Sequence, residues 1–411
     1  MLRWIIFTAI YLVIDFYAFQ AFKTVSKSKW LYIIYWLITI LVMINFLYQL
    51  SINFNRSVGL TTSTNQAIGF FLILFIPKIA LLLFMFGEDL FRVPQALYRL
   101  ATEGKSVESN YFPSRRKFIS QIALGIAAIP FTSLLYGMYR GKYNYKVLKY
   151  TLEFDDLPNA FDGYQITQIS DIHSGSFDNK KKIEYGVDLI NQQESDVILF
   201  TGDLVNNRAD EMLPWIDTFK KLNAKEGKFS VLGNHDYGDY IEWESEEAKL
   251  QNMKNLEDIH KQLGFDLLLN ENRHLEKNGD KIALIGVENW GAGFKQVGDL
   301  RRASTDINKD DFKILMSHDP SHWQEEVKNN DTHYHLTLSG HTHGMQFGIE
   351  IPGLIKWSPV KWRYKYWAGI YEEAGRYINV NRGFGFLAYP GRVGIWPEIT
   401  VITLKKKQQT V

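Results

Sequence analysis

The chain has 411 residues, with 46 Lys+Arg balanced by 45 Asp+Glu and no cysteine. That length allows two domains, and the even charge gives no global case for nucleic acid or another polyanion as partner. The missing cysteine excludes disulfides, zinc–thiolate sites and thiol nucleophiles together. None of the ten histidines precedes His173, so imidazole chemistry belongs to the C-terminal part.

Four apolar stretches fill most of residues 1–137, running Leu2–Phe22, Trp30–Leu50, Ile68–Gly87 and Phe118–Gly137. Each is near the ~20 residues that a helix needs to cross the hydrocarbon core, and Trp and Tyr lie near their ends. They predict a transmembrane bundle rather than a buried globular one. Loop one holds Lys23, Lys27 and Lys29, and loop three holds Arg92, Arg99, Lys105 and Arg115-Arg116-Lys117. Loop two offers Arg56 among Ser, Thr and Asn. Lys and Arg favour the cytoplasmic side, so the alternation places loops one and three inside and the C-terminal domain outside the plasma membrane. Arg140, Lys142, Lys146 and Lys149 after the fourth span run against that pattern. Ser114-Arg115-Arg116-Lys117-Phe118 reads either as an internal twin-arginine export signal or as a cytoplasmic charge anchor, and both send the C-terminal part of the chain outward.

Asp15 lies within the first span and Lys78, beside Pro77, within the third. With those helices running in the same direction, each residue sits about a dozen residues from its outer end, or ~18 Å at ~1.5 Å per residue. An unpaired charge at that depth costs at least a few kcal/mol. The expectation is an ion pair that clamps two helices.

After a linker at 138–148 the texture changes, and residues 149–411 read as a second domain. Short apolar runs recur at Tyr164–Ser170, Val197–Thr201, Phe229–Leu232, Lys281–Val287, Phe312–Met316, His335–Leu338, Tyr377–Val380 and Ile399–Leu404. Their length and Ile/Val/Leu/Phe content mark buried strands. Helical candidates lie between them at Lys181–Gln192, Trp215–Leu222, Asn252–Leu263 and Ser321–Lys328. Strand–helix alternation predicts an α/β fold of stacked sheets, whose sites gather beyond the strand ends.

The chemistry stands at those ends. In order they read Asp171-Ile172-His173, Gly202-Asp203, Gly233-Asn234-His235-Asp236, Ser317-His318-Asp319 and Gly340-His341-Thr342-His343. Asp-x-His and His-x-His each put two side chains on one side of an extended backbone. Asp, Asn and His together suit borderline divalent ions. The glycines before Asp203, Asn234 and His341 are expected to let the chain turn tightly as it leaves each strand. Any one of these residues alone would more often be a cap or a solvated side chain; the ordered set is not.

These clusters, in this order, resemble the motifs of the calcineurin-like metallophosphoesterase superfamily over about three fifths of the chain. The flanks Leu157-Pro158-Asn159-Ala160-Phe161-Asp162-Gly163, Asn381-Arg382-Gly383-Phe384-Gly385, Pro390-Gly391-Arg392 and Pro397-Glu398-Ile399 resemble its membrane-associated YkuE/YaeI-type bacterial subgroup. The resemblance implies a four-layer α/β/β/α sandwich following the membrane helices. It implies a pair of divalent ions, with Mn, Fe or Zn as candidates. Asp171, His173 and His343 would hold one, Asn234, His318 and His341 the other, and Asp203 would bridge them. His235 takes the role of catalytic acid or charge stabiliser. Asp236 stands where Glu is frequent, a small departure. The implied activity is hydrolysis of a phosphodiester or phosphomonoester by water activated between the ions.

The strip Lys356–Trp367 interleaves cations with aromatics just after the His341/His343 loop. It reads as a contact with lipid headgroups, which would suit a lipid-linked phosphate substrate, or as a hairpin with aromatic packing and solvated charges. Nucleic acid is not expected, since one short strip lacks a wider basic surface. Two rival functions remain open at this point. One is a pyrophosphatase of the UDP-2,3-diacylglucosamine type from lipid A synthesis; the other is a non-catalytic, metal-stabilised binding module.

Overall fold

A computed structural model describes residues 2–103 and 113–408. The chain divides into two compact units, Met1–Phe54 with Ser63–Met138 and Asn55–Thr62 with Tyr139–Val411.

The first unit holds α1 (Leu2–Val25), α2 (Lys29–Leu47, continued by a π-turn to Ile52), α3 (Thr62–Glu103) and α4 (Pro113–Tyr139). All four are long and apolar enough to cross a membrane. The third helix does not stop where its apolar run does. It continues past Gly87 through Glu88 and Asp89 and contains Pro77 and Pro94. Hydropathy reports which residues suit lipid, whereas the hydrogen-bond ladder of a helix continues through polar residues as readily as apolar ones. Lys105 of the third loop lies outside the described residues, as do the side chains of Arg92 and Arg99.

Inside this unit, Asp15 Oδ1 and Lys78 Nζ are 2.7 Å apart and both residues are buried. The Tyr35 hydroxyl donates to Asp15 Oδ1 at 2.5 Å, and Lys78 Nζ donates to Thr39 Oγ1 at 2.8 Å and Tyr11 Oη at 3.2 Å. Rings of Tyr11 and Tyr35 flank the ammonium at 5.0 and 5.4 Å. The expected clamp is therefore a pair with its own polar shell.

The second unit begins earlier than the expected linker allows. Gly141, Lys142 and Tyr143 form a buried turn, with Lys142 bonded to Asp178 at 2.6 Å. The strands follow in chain order as β1 (Lys146–Phe154), β2 (Gln165–Ile169), β3 (Val197–Phe200), β4 (Lys228–Ser230), β5 (Asp266–Leu267), β6 (Glu271–Lys277) and β7 (Asp280–Gly286). Then come β8 (Lys313–Met316), β9 (Leu336–Ser339), β10 (Ile349–Ile351), β11 (Ile355–Trp357), β12 (Gly369–Glu373), β13 (Arg376–Val380) and β14 (Glu398–Lys406). One six-stranded sheet has the order β1-β14-β2-β3-β4-β5, the other β12-β13-β9-β8-β7-β6, and β10 and β11 form a separate hairpin.

Strict alternation along β3 shows why the sheets stack. Val197 and Leu199 enter the core between the sheets, while Ile198 and Phe200 face the helices. That outer core takes Ile183, Val187 and Ile190 from α5 (Lys180–Asn191) and Leu256 and Ile259 from a later helix, Glu246–Gln262. Beyond the second sheet, Leu315, Ile378 and Val380 pack on Leu300, Trp323 and Val327. The result is helix, sheet, sheet, helix. Two expected helices are shorter than predicted: 215–222 yields α-helix over Ile216–Phe219, and 321–328 yields a three-residue turn followed by a π-turn. Both lie against strand-end loops, where tertiary packing outweighs helix propensity.

Candidate metal centre

Strands β2, β3 and β4 are parallel neighbours in one sheet, and β8 and β9 in the other. Parallel pairing puts their C-terminal ends at one edge, and every candidate ligand comes from a loop leaving such an end. Asp171 and His173 follow β2, Asp203 follows β3, Asn234 and His235 follow β4, His318 follows β8, and His341 and His343 follow β9.

Two clusters result. In the first, His173 Nε2 and His343 Nε2 lie 3.0 Å apart, and His343 Nε2 is 3.2 Å from Asp171 Oδ1. In the second, His341 Nδ1 is 2.7 Å from Asn234 Oδ1 and 3.3 Å from His318 Nε2. Asp203 Oδ2 stands between them, 3.5 Å from His173 Nε2 and 3.2 Å from His318 Nε2. Asp171, His173 and His343, and likewise Asp203, His318 and His341, meet the spacing that lets three donors hold one cation.

The backbone is strained to achieve this. Asp171, His173, Asp203, His341 and His343 all have φ between 48° and 69°. Left-handed φ is uncommon outside glycine, and its concentration at one site marks a conformation imposed by the surroundings. The glycines act differently from expectation. Only Gly202 shares the left-handed region, at φ 94°. Gly340 serves close approach: a Cβ there would meet Ser170 Oγ at 1.9 Å and Asp171 Oδ2 at 2.3 Å.

The hydrogen bonds behind the histidines decide what the site can hold. His318 Nδ1 is 2.7 Å from the Thr201 carbonyl oxygen. A carbonyl only accepts, so Nδ1 carries a hydrogen and Nε2 is the atom that would present a lone pair to a metal on losing its own proton. His341 Nε2 is 2.8 Å from the Tyr364 hydroxyl and 3.4 Å from Asp319 Oδ2, which leaves Nδ1 free to face inward. His318 Nε2, His341 Nδ1, Asn234 Oδ1 and Asp203 Oδ2 then converge. Such a group repels itself unless a proton or a metal cation lies within it. With nitrogen and oxygen donors and no thiolate, the residues fit a pair of borderline divalent ions.

Electrostatics agree. Burial alone would lower His318, yet Asp203 and Asp171 push it up to about 10. Burial opposes ionisation of Asp203 as well, but His318 and His235 hold its carboxyl well below the usual range. The centre is a negative well in a dry surround.

His235 sits beside this centre. Its Nδ1 is 2.8 Å from the Asn206 carbonyl oxygen, its backbone N–H donates to Asp203 Oδ1 at 2.9 Å, and its ring lies 4.9 Å from that of His173. Asp236, buried, accepts N–H bonds from Asp203 at 2.9 Å, Leu204 at 2.8 Å and Gly233 at 2.9 Å, tying two ligand loops together.

Sequence reasoning did not single out several residues that matter here. Tyr364 backs His341, and the Tyr240 hydroxyl lies 2.7 Å from Asn234 Nδ2. Arg392 Nη2 lies 3.1 Å from His343 Nδ1 and donates to the Gly385 carbonyl at 2.6 Å. Glu211 accepts from the N–H groups of Asn206, Asn207 and Arg208 at 2.6, 3.1 and 3.1 Å, holding the loop that orients His235. Tyr364 and Arg392 fell within stretches noticed for other reasons, the aromatic strip and the family-like tail. Nothing in the sequence marked Tyr240 or Glu211.

Comparison with known proteins places two family descriptions on the chain. Residues 2–142 match a probable calcineurin-like phosphoesterase transmembrane domain, and residues 164–345 match a calcineurin-like phosphoesterase. The uncharacterized metallophosphoesterase YkuE of Bacillus subtilis is 31% identical over 303 residues, covering 71% of this chain and 98% of that protein. An uncharacterized metallophosphoesterase of Aquifex aeolicus is 28% identical over 283 residues, covering 67% of this chain and 99% of the relative. A transmembrane protein with metallophosphoesterase domain from Danio rerio is 25% identical over 335 residues, covering 79% and 70%.

Proposed function

The chain belongs to the calcineurin-like phosphoesterase family, a membrane-bound phosphoester hydrolase among its members, and we propose that it cleaves a phosphodiester or phosphomonoester with water at two divalent ions. Asp171, His173 and His343 would hold one ion, Asn234, His318 and His341 the other, and Asp203 would serve both. The observation that carries this reading is the position of Asp203 Oδ2, within 3.5 Å of a histidine nitrogen from each cluster. When bound, the ions supply a clamp for the phosphate and a lowered pKa for water.

The protein's own groups do the rest. Asn206 fixes His235 with its hydrogen on Nδ1, so Nε2 is the position that binds and releases a proton. In the protonated form it stabilises or protonates the departing oxygen. Asp236 keeps the loops of Asp203 and Asn234 in register. The catalytic unit faces away from the cytoplasm of a bacterial cell in this reading. Support comes from the alternation of Lys and Arg between the loops. The substrate is an amphiphilic phosphate ester presented at the bilayer.

The test uses the purified full-length chain in nanodiscs, measuring bound divalent ions by elemental analysis and turnover of bis-p-nitrophenyl phosphate. About two ions per chain and chelator-reversible turnover are expected. A folded chain that takes up no divalent ion and leaves the diester intact refutes the reading.

A further inference from the structure

The hairpin of β10 and β11 is built inside out. Its register pairs Ile349 with Trp357, Glu350 with Lys356 and Ile351 with Ile355. Directly opposed residues share a face, so one face carries Ile349, Ile351, Ile355 and Trp357 and the other carries Glu350 and Lys356. In a half-buried sheet the apolar face ordinarily turns to the core. Here Glu350 turns inward, half-buried, while Lys356 beside it stays exposed. Glu350 accepts from Arg382 Nε at 3.0 Å and Nη2 at 2.6 Å, and Arg382 also binds Glu398. Lys356 Nζ bonds to the Ala368 carbonyl and lies 3.4 Å from the Tyr371 hydroxyl. These bonds pin the orientation, because turning the hairpin over would take Glu350 from the buried Arg382 and leave it Glu398 alone.

The isoleucines of the apolar face are left outside, and Trp357 is half-buried. Ile349 is 50%, Ile351 49% and the tip residue Leu354 80% exposed, and Trp362 extends the patch at 76%. Lys361 and Arg363 lie exposed beside it. The hairpin of β6 and β7 shows that this is not a habit of the chain, since its turn is Lys277-Asn278-Gly279-Asp280.

We propose that this face of the β10–β11 hairpin and Trp362 lie in the headgroup region of a lipid bilayer. The occupant is argued from the chain itself. Its four membrane-capable helices keep a bilayer permanently within reach. Indole rings prefer the interface between hydrocarbon and water, and Lys361 and Arg363 match anionic headgroups. The patch is also continuous with the metal-ligand loop. Ser358 Oγ donates to the Gly344 carbonyl at 2.8 Å, Thr342 Oγ1 to the Trp367 carbonyl at 2.6 Å, and Tyr364 meets His341. A hairpin held in the headgroups would set the mouth of the catalytic centre at their level, a consequence that rests on the hydrolase reading although the placement itself does not.

The absence of native cysteine makes a direct test simple. Leu354→Cys and, separately, Asn278→Cys are labelled with an environment-sensitive fluorophore. The full chain is then reconstituted in vesicles of phosphatidylcholine and phosphatidylglycerol. The label at 354 should be blue-shifted, severalfold less open to aqueous iodide than the label at 278, and quenched by spin-labelled lipid. Adding Ile351→Ser and Trp362→Ser should weaken that lipid quenching. Equal iodide access at both positions overturns the proposal. So does shielding at 354 that follows protein density and disulfide-linked dimers instead of lipid, which would assign the face to a second copy. No outcome depends on turnover, so the result stands apart from the fate of the hydrolase assignment.

Discussion

The chain buries ionised groups in two regions and finishes them differently. In the helix unit, Asp15 meets Lys78 at 2.7 Å, with Tyr35, Thr39 and Tyr11 completing most of the shell. Donors meet acceptors and the charges cancel, though Asp15 Oδ2 is left without a hydrogen bond. In the catalytic unit, His318 Nε2, His341 Nδ1, Asn234 Oδ1 and Asp203 Oδ2 crowd together with no fixed counter-charge, and a proton on His318 or a metal cation completes them. A closed pair holds helices in place, while an open cluster is a demand for cations. Buried charge therefore says little about function until its complement has been counted.

The sharpest break comes at the shared carboxylate. Asp203→Ala should remove both ions and reduce turnover of bis-p-nitrophenyl phosphate to background. Elemental analysis that finds one ion still bound, with appreciable turnover, would make the clusters independent. Next in size, His235→Ala should keep both ions but slow turnover ~10²–10⁴-fold, the range of general acid catalysis; unchanged turnover of a substrate with a poor leaving group would remove that role.

The helix pair tests the other side of the comparison. Asp15→Asn or Lys78→Met alone should cost about 3–5 kcal/mol, the usual penalty for orphaning a buried charge. The double variant should recover part of that loss in thermal unfolding. If it is no better than either single variant, the two residues do not act as a pair.

A smaller effect is expected behind the ligands. Tyr364→Phe removes the hydroxyl at His341 Nε2 and should weaken divalent-ion affinity about 10–100-fold, the usual effect of losing such a partner. Turnover at saturating metal should be near normal. An unchanged metal titration would reduce Tyr364 to packing.

The last, slight near neutral pH, concerns a buried group with neither cation nor counter-charge. His260 lies against Phe200 and Phe265, with Nδ1 2.9 Å from Ser230 Oγ, and burial lowers it to about 3. The folded state then binds fewer protons than the unfolded state, whose histidine titrates near ~6.5. Its stability is fully present above that value and is lost as pH falls towards 3, by about 1.4 kcal/mol per unit at most. His260→Phe should flatten that part of the pH–stability curve in denaturant titrations; an unaltered slope would place the acid sensitivity elsewhere.

Much of this was legible in the amino-acid order because it is local. The apolar runs of the four helices and the Ile/Val/Leu content of strands such as β3 and β8 are properties of neighbouring residues. So is the habit of five strands, β2, β3, β4, β8 and β9, of stopping short of Asp, Asn or His. Strand β6, Glu-Asn-Arg-His-Leu-Glu-Lys, was invisible because an edge strand pairs through its backbone and leaves polar side chains outside.

What the sequence determined by itself is where the candidate ligands stand, since residue type and strand-end position are written locally. Only the tertiary structure decided how they meet. The order of the two sheets brings β2 beside β3 and β8 beside β9, and strains five ligand backbones into left-handed φ. It also supplies Tyr364, Arg392 and Glu211 from distant loops. The hairpin shows the same division: alternation separates its apolar face from its charged one, but the buried Arg382 settles which of them turns inward. The physical reason is range. Side-chain periodicity is fixed by bonds between neighbours, whereas a hydrogen bond or a metal ligand is chosen by whatever the fold places within ~3 Å.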